Sequence, residues 1–387
     1  MQLVLNGNLL SVGNKIKIIH IINSLNVGGA EESLLKIIEE TDENYDHSII
    51  TLIPDYALIQ NHNRFAGRVS CLFSWSGLTD LIRVICVQRK IILIGWLYAS
   101  IGVTTIVKFL SVLIGRNKYK IKSIWMIRSG VDYSSQSLVT KSLQKILRIF
   151  ISNADTVIYN SYSSRDDHKK MLGYSHEKSI VLPNFYKVIG PSTETNKVLS
   201  GTLRPPLIFG SLGRWNAIKQ KNLFLEVGCL GIKRGLFGTV ICCGNENVTL
   251  GRKFVDEEPM MSDFSEYFKF FDHMSRENFF GSVDMVFVSS LNESFPNVFF
   301  EAFLYGVIPF SFPVGDVGKI PVFSPFVIDF TQDIDRCFGQ IFLRFEALQA
   351  SGFLEFFEAK KFILSNFSKD VFSSKFENII KGLVESE

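Results

Sequence analysis

The stretch Lys15-Ile16-Lys17-Ile18-Ile19-His20-Ile21-Ile22 is an almost continuous apolar run of strand length. A strand with apolar residues on both faces is typical of a parallel sheet that helices cover on both sides. The run opens into residues 23–29, which end in Gly28-Gly29, and residues 30–40 then have the pattern of a helix. This strand, glycine turn and helix predict the first unit of an α/β fold.

Further apolar segments of strand length follow, with helical patterns between most of them. They cover residues 48–53, 91–97, 123–127, 156–159, 179–182, 207–212, 238–243, 285–289 and 307–312. Helices are predicted near 222–230, after Pro296 and in the tail 352–384. This alternation predicts two facing Rossmann-like domains with doubly wound parallel sheets and a cleft between them.

The predicted boundaries follow from a composition change. The region around residues 190–206 is rich in Ser, Thr, Gly and Pro, as expected of a linker. We therefore assign residues 1–190 to the N-terminal domain, 191–206 to the linker and 207–360 to the C-terminal domain. Residues 361–387 are expected to form a helical tail that packs back on the N-terminal domain.

Bulk composition excludes several classes of protein. The chain has 387 residues, 47% hydrophobic and 20% charged, with a net charge of +3, which argues against disorder and gives no reason to expect nucleic acid binding. The six cysteines include no Cys-x-x-Cys pair and no histidine at metal-ligand spacing. With no signal-peptide pattern at the start, we expect a cytoplasmic protein with reduced thiols.

Residues 91–113 are apolar enough to resemble a membrane span. Because Lys108 lies well inside this run, we expect a buried strand followed by a helix instead. No acidic residue occurs between Asp80 and Asp132, whereas nine basic residues do. Such a region predicts peripheral contact with an anionic membrane, with a solvated protein face as the alternative.

Two glutamates, Glu293 and Glu301, bracket the turn Ser294-Phe295-Pro296-Asn297. Glu301 lies among apolar residues and needs a partner there. Ser294 is predicted to cap a helix with Pro296 in its first turn, which leaves free N–H groups near Asn297 that attract phosphate. The pattern predicts a site for a nucleotide-linked ligand, and the alternative is a capped helix with one paired glutamate.

Two other strand ends carry candidate residues. Gly28 and Gly29 lie where the first strand becomes the first helix, the place where α/β sheets bind ligands, although a tight turn alone explains them equally well. Arg214 follows Gly213 at the end of another predicted strand, with Lys219 and Lys221 soon after. An arginine and a lysine together are suited to neutralising a leaving diphosphate without a metal ion.

Three more polar residues are of types that take part in chemistry. Asp316 follows a strand end and is expected either to stabilise a turn or to have a functional role. His20 is expected inside the fold and His168 on the surface. The sequence contains no evident hydrolase triad.

Six motifs are spread along the chain: Gly28-Gly29-Ala30-Glu31, Ile124-Trp125-Met126-Ile127-Arg128-Ser129, Tyr159-Asn160-Ser161, Leu182-Pro183-Asn184, Gly213-Arg214 and the two glutamates with seven residues between them. In these motifs, and over nearly its whole length, the chain resembles the retaining family 4 glycosyltransferases of GT-B architecture.

The resemblance assigns roles to these residues. It implies that Arg214 and Lys219 contact the donor diphosphate and that Glu293 acts on the donor sugar. Glu301 would bind the ribose hydroxyls. The remaining donor-binding residues would be Gly213, Lys221, Ser294, Phe295, Pro296 and, through its backbone, Asn297, whereas Gly28 and Gly29 would line the acceptor side.

The chain departs from the family pattern in three places. Ala99 stands where related sequences have a histidine that contacts the donor sugar, which puts turnover or sugar choice in question. Phe185 follows Asn184 where the family often has glycine. The diphosphate lysine is ambiguous, because Lys219 has the expected distance from Arg214 and Lys221 has the expected neighbours; we assign Lys219.

The resemblance implies a metal-independent transferase, with retention, of a hexose or N-acetylhexosamine. The donor would be a nucleotide-diphosphate sugar, with UDP expected, and the acceptor a glycan, expected to be linked to a polyprenyl diphosphate at the inner face of the plasma membrane. Cell-surface polysaccharide synthesis, such as that of capsule, O-antigen or lipopolysaccharide, is the implied pathway. The alternatives are a GT-B epimerase or phosphorylase and a non-catalytic protein that binds a nucleotide sugar or a partner enzyme.

Overall fold

The computed structural model describes residues 15–26, 28–59, 65, 68–74, 77, 90–113, 120–131, 137–187, 198 and 203–385. Within these ranges the chain forms two parallel sheets, of seven and five strands, with helices packed around them. The predicted α/β class with two doubly wound sheets is confirmed. We call the first sheet with its helices the first lobe and the second sheet with its helices the second lobe.

The first sheet has the strand order β3-β2-β1-β4-β5-β6-β7, and every described pair is parallel. Its strands are β1 Ile16–Ile22, β2 Tyr45–Thr51, β3 Val69–Cys71, β4 Lys90–Trp96, β5 Lys120–Ile127, β6 Thr156–Tyr159 and β7 Ser179–Val181. Six of the seven residues of β1 are buried, as expected for a strand covered on both faces.

The second sheet has the order β10-β9-β8-β11-β12 and is also parallel. Its strands are β8 Leu207–Leu212, β9 Phe237–Cys243, β10 Phe268–Phe271, β11 Met285–Val288 and β12 Ile308–Ser311. Strand order reverses direction between β1 and β4 in the first sheet and between β8 and β11 in the second. Ligands of open parallel sheets bind beyond the carboxyl ends of the strands at such points.

Twelve α-helices lie in the described ranges. They are α1 Gly29–Thr41, α2 Leu97–Leu113, α3 Leu138–Phe150, α4 Tyr162–Leu172, α5 Lys221–Lys233, α6 Arg252–Glu257, α7 Pro259–Ser262, α8 Arg276–Gly281, α9 Asn297–Tyr305, α10 Ile334–Ala350, α11 Leu354–Asn366 and α12 Lys369–Glu385. None of these helices is long and apolar enough to cross a membrane. The run 91–113 is divided into β4 and α2, which confirms the predicted strand and helix.

The last helix, α12, returns to the first lobe. Phe372, Phe376 and Ile380 are buried in the same core as β1 and α1. The Phe372 ring lies 4.5 Å from Phe185, and the Asn44 amide donates to Glu377 at 2.7 Å. Most of the predicted linker, in contrast, lies outside the described residues.

The structure differs from the predicted elements at two short strands and one histidine. Neither β3, which has three residues, nor β10, with the sequence FKFF at the sheet edge, was predicted, because a short edge strand carries little periodic pattern. The prediction that His168 lies on the surface is wrong. It is fully buried on α4, between the Ser164 carbonyl and the Tyr98 hydroxyl, each at 2.7 Å.

Candidate active site

A cleft of about 770 Å³ lies between the two lobes, where the reversal points of both sheets meet. Residues after β1, β5, β6 and β7 form its first-lobe wall, and residues after β8, β9, β10 and β11 form its second-lobe wall. Its volume is in the range of small-molecule sites, which are clefts of roughly 300–1,000 Å³.

The end of β8 places two cations in this cleft. Gly213 has a φ of +146°, a conformation that favours glycine, and its N–H donates to the Cys243 carbonyl at 2.8 Å. The next residue, Arg214, is exposed and lines the cleft. Lys219 ends a short 3₁₀ turn that the Asn216 side chain caps, and it also lines the cleft.

Glu293 lies on the same wall as these cations, in the loop after β11. Its Oε1 forms an ion pair with Lys219 Nζ and accepts a bond from Ser290 Oγ at 2.9 Å. Both side chains of the pair are mostly buried, at 28% exposure for Lys219 and 18% for Glu293. The structure therefore brings the predicted residues Lys219 and Glu293 together. A ligand could separate them by offering phosphate to the lysine and hydroxyl groups to the glutamate.

Helix α9 begins at Asn297 with Pro296 as its N-cap and no side-chain cap. The predictions that Ser294 caps this helix and that Pro296 lies in its first turn are wrong. Ser294 Oγ instead accepts from Asn160 Nδ2 at 2.9 Å and donates to the Arg128 carbonyl at 3.2 Å. The helix start at Asn297 lines the cleft without a capping side chain, as an anion site requires.

The turn before α9 is anchored in the second-lobe core. Phe295 is buried, and its ring stacks on Phe300 at 4.4 Å. Pro296 is buried beside it. Both residues line the cleft, and their position fixes the backbone between Glu293 and the helix start.

Glu301 lies one turn into α9 and is 7% exposed. Its Oε2 has an ion-pair contact of 3.4 Å with Arg276 Nε but no hydrogen-bond partner. Arg276 also contacts Glu32 of the first lobe at 3.6 Å. Burial lowers the pKa of Arg276, but Glu301 and Glu32 raise it above its usual value overall. Glu301 thus has the partner that its apolar surroundings require, and that partner bridges the lobes.

Lys221 differs from Lys219 although both line the same cleft. It is 2% exposed at the start of α5, and its Nζ donates to Ser211 Oγ at 2.8 Å. Burial lowers its pKa. No carboxylate pairs with it among the described residues. Lys221 therefore lies deeper in the second-lobe wall than Lys219 does.

The first-lobe wall contains the two predicted glycines. Gly28 is the N-cap of α1, and Gly29 opens the helix. A Cβ on Gly29 would lie 3.9 Å from Asn297 Nδ2, so this turn faces the start of α9. Ala99, in the first turn of α2, is partly buried and contributes no side chain to the cleft lining among the described residues.

Asp316 connects the lobes rather than lining the cleft. Its carboxylate accepts from the backbone N–H of Tyr162 at 2.9 Å and of Ser163 at 2.7 Å, at the start of α4. It is 2% exposed. These bonds satisfy free N–H groups of α4 and fix the second lobe against the first.

Sequence reasoning assigned no role to four cleft residues: Arg128, Asn160, Asn184 and Arg276. The first three follow β5, β6 and β7, so their positions at the carboxyl ends of strands could have identified them. Asn184 Nδ2 donates to Asn297 Oδ1 at 2.7 Å across the cleft. Arg276 follows the unpredicted strand β10, and no sequence pattern singled it out.

The described part of the chain contains no cluster of three or more histidine, cysteine, aspartate or glutamate side chains able to hold a metal ion. Arg214, Lys219 and the start of α9 contribute positive charge to the cleft.

Comparison with known proteins identifies the fold. No protein-family model matches the sequence, and no curated protein matches it. Among solved structures, Anabaena HepE in complex with UDP and glucose has a TM-score of 0.74 at 15% identity, with 95% of this chain and 100% of that chain covered.

Two more solved structures resemble the chain over similar lengths. The lipopolysaccharide outer core galactosyltransferase WaaB has a TM-score of 0.64 at 14% identity, covering 95% of this chain and 99% of that chain. A mutant of S. aureus TarM, in complex with fondaparinux, α-GlcNAc-glycerol and UDP, has a TM-score of 0.67 at 12% identity, with 96% and 100% covered. The chain therefore has the GT-B fold.

Proposed function

We propose that the protein is a glycosyltransferase that moves a hexose or N-acetylhexosamine from a UDP-sugar to a glycan acceptor. The observation that carries this proposal is the convergence of Arg214, Lys219, Glu293 and the uncapped start of α9 on one wall of the cleft. Structures with the same fold were solved with UDP bound, which supports a nucleotide diphosphate as the ligand.

The second-lobe wall fits the charge that develops in such a transfer. When the sugar–phosphate bond breaks, negative charge collects on the departing diphosphate. Arg214, Lys219 and the N–H groups at Asn297 would stabilise this charge, and they need little rearrangement because the fold already holds them. Loss of one such preorganised donor typically lowers the rate about 100- to 1,000-fold.

Donor binding would exchange the ion pair between Lys219 and Glu293 for contacts of each side chain with the donor. An arriving diphosphate would take Lys219, and the sugar hydroxyls would take the Glu293 carboxylate released from it. Both groups are already partly desolvated, so their new partners act on them strongly. The reaction written in this way uses no metal ion, and retention at the anomeric carbon follows from the family resemblance.

Glu301 is assigned to the ribose hydroxyls. Its Oε2 lacks a hydrogen bond in a buried position, and hydroxyl donors would satisfy it. Arg276 contacts the same Glu301 Oε2 and must share this oxygen or move away when a nucleotide binds.

The first lobe provides a surface suited to a lipid-linked acceptor. Helix α3 has a stripe of exposed apolar side chains, with Leu138 80%, Val139 77%, Ile146 52% and Ile149 74% exposed. Lys141, Lys145 and Arg148 lie on the same helix, which has no acidic residue. An apolar face with basic neighbours is suited to an anionic leaflet, and we propose on this basis that the protein works at the inner face of the plasma membrane. The role in cell-surface polysaccharide synthesis is proposed from the family resemblance.

Donor binding and donor consumption test the enzyme assignment. Purified protein is titrated with UDP and with UDP-glucose, UDP-galactose and UDP-N-acetylglucosamine, and then incubated with a pool of lipid-linked glycans. We expect UDP to raise the unfolding temperature and one donor to be consumed, because a ligand that binds only the native state stabilises it.

Variants separate the enzyme from a non-catalytic binder. Glu293→Gln and Arg214→Ala should abolish transfer, whereas Arg234→Ala, an exposed arginine paired with Asp335, should not. UDP binding without consumption of any donor would favour the non-catalytic alternative raised by Ala99. Unchanged transfer in both cleft variants would contradict the assigned roles.

A further inference from the structure

Arg128 is a buried cation in the first-lobe wall of the cleft. It follows β5 and is 9% exposed, yet it lines the cleft together with Gly29, Ser33 and Asn184. Its Nη1 donates to Asn184 Oδ1 at 2.6 Å and to the Leu182 carbonyl at 3.4 Å. Both acceptors are neutral.

No carboxylate balances this charge among the residues that the structure describes. The acids that line the cleft have other partners: Glu32 pairs with Arg276, Glu293 pairs with Lys219, and Asp272 accepts from the Val248 N–H at 3.0 Å. Burial lowers the pKa of Arg128 to about 10, and no acidic neighbour opposes that shift. Arg128 Nε is buried without a hydrogen-bond partner.

The surroundings of Arg128 stabilise the cation only in part. The guanidinium lies over the Trp96 ring, 5.6 Å from its centroid, and such a contact contributes on the order of 1–2 kcal/mol. Burying an unpaired charge costs considerably more than that. A guanidinium that keeps unused donors at a ligand cleft is suited to bind a carboxylate or phosphate with its planar edge.

We propose that Arg128 binds an anionic group, a carboxylate or a phosphate, that one of the two sugars carries into the cleft. This inference rests on the proposed function and adds a first-lobe anion site to it. The groups assigned to the diphosphate, Arg214, Lys219 and the start of α9, all belong to the second lobe. Arg128 lines the first-lobe wall together with Gly29, and the family resemblance implies that this wall receives the acceptor.

Calorimetric titration in two arms identifies the source of the anion. The donor arm compares UDP-glucuronate with UDP-glucose. The acceptor arm titrates glucose 6-phosphate and glucose into the protein, both with saturating UDP and without it. In at least one arm we expect the anionic sugar to bind about 10- to 100-fold more tightly than its neutral counterpart, as a charge-assisted hydrogen bond predicts.

Substitutions of Arg128 decide whether this preference depends on it. Arg128→Gln should bring the ratio of the two affinities near one, and Arg128→Lys should keep part of it. Arg165→Gln is the matched control, because Arg165 also lies over an aromatic ring, that of Tyr162 at 5.3 Å, but its side chain is 38% exposed and lies outside the cleft lining. The control should leave the ratio unchanged.

A merely structural Arg128 gives a different result. It would change the unfolding temperature while leaving the ratio of anionic to neutral affinities as in the wild type, and that outcome overturns the inference. Absence of any preference in the wild type in both arms also overturns it. If the wild type binds UDP normally, the proposed function stands whatever the result for Arg128. If the wild type does not bind UDP, that result counts against the proposed function itself.

Discussion

Lys219 and Lys221 are two residues apart and both line the cleft, but the Lys219 side chain is 28% exposed whereas Lys221 is 2% exposed. Lys219 ends a 3₁₀ turn and pairs with Glu293, whereas Lys221 opens α5 and donates to Ser211 Oγ. The Gln220 between them has a φ of +46°, and this left-handed residue turns the chain so that the lysines point to different environments. The pairing of Lys219 with Glu293 supports our proposal that Lys219 is the diphosphate lysine.

Paired substitutions test that distinction. Lys219→Met should weaken UDP binding about 10- to 100-fold, because it removes a charge-assisted bond to phosphate and leaves Glu293 without its cation. Lys221→Met should change UDP affinity by less than about 3-fold, since no ligand replaces its bond to Ser211. Calorimetry measures both affinities, and circular dichroism checks that each variant is folded. Stronger loss in Lys221→Met would reverse the assignment.

Helix α2 exposes Ile106, Phe109, Leu110 and Val112, and helix α3 has a comparable apolar surface. Its exposed apolar residues recur at helical spacing on one side, and the opposite side packs through Leu147 and the buried Gln144. Exposed apolar patches of this kind mark interaction sites. The predicted basic region ends just before this helix, and the apolar stripe itself was not predicted.

Vesicle co-sedimentation tests the proposed membrane contact of α3. Wild-type protein should bind vesicles of phosphatidylcholine with about 30% phosphatidylglycerol and bind pure phosphatidylcholine much less, because each well-placed basic residue contributes about 1 kcal/mol at an anionic surface. Val139→Glu with Ile149→Glu should abolish binding. Leu343→Glu, at a residue 64% exposed on α10 of the second lobe, is the matched control.

Two other outcomes would contradict the membrane proposal. One is the absence of binding to either vesicle by the wild type. The other is a change of molecular mass in light scattering when Val139 and Ile149 are replaced, which would identify the stripe as an interface between copies of the chain.

In the whole molecule, the lobes are tied by polar contacts at the cleft and by the returning tail. Asp316 bonds to the start of α4, Asn184 to Asn297, and α12 packs into the core of the first lobe. Contacts of this kind hold the two walls at a defined separation. The ion pair of Arg276 with Glu32 also joins the two lobes, and both of its side chains are about one third exposed.

Buried histidines make the stability of the whole fold depend on pH. Burial lowers the pKa of His47 and of His168 to about 4, from about 6.5 in an unfolded chain. Between these values the unfolded state binds protons that the native state excludes. The free energy of unfolding should therefore fall as pH drops from about 6.5 to 4, by on the order of 3 kcal/mol for each histidine.

Denaturant titration across this pH range measures the effect. His168→Gln should reduce the loss of stability between about pH 6.5 and 4, because the titrating group is gone. The exposed His273→Gln serves as the control and should keep the wild-type slope. An unchanged slope in His168→Gln would show that His168 does not bind a proton on unfolding in this range.

Local pattern determined a large part of this structure. Apolar runs such as residues 15–22 predict buried parallel strands because helices cover both faces, and the alternation with helices predicts the doubly wound sheets. The carboxyl ends of those strands also marked Gly28, Gly29, Gly213 and Arg214. Of the four edge strands, β7 and β12 were predicted, whereas β3 and β10, with three and four residues, carry too little periodicity and were not.

Only the tertiary structure decided which side chains meet. Ser294 has the right type and spacing to cap α9, but its hydroxyl instead accepts a hydrogen bond from Asn160 Nδ2 of the other lobe. Lys219 pairs with Glu293, 74 positions away, and Arg276 contacts Glu301, 25 positions away. The charge of Arg128 has no acidic neighbour to oppose the effect of burial, and no spacing in the sequence predicts this. Sequence spacing reports neighbours along the chain, whereas these contacts depend on residues that the fold brings together in space.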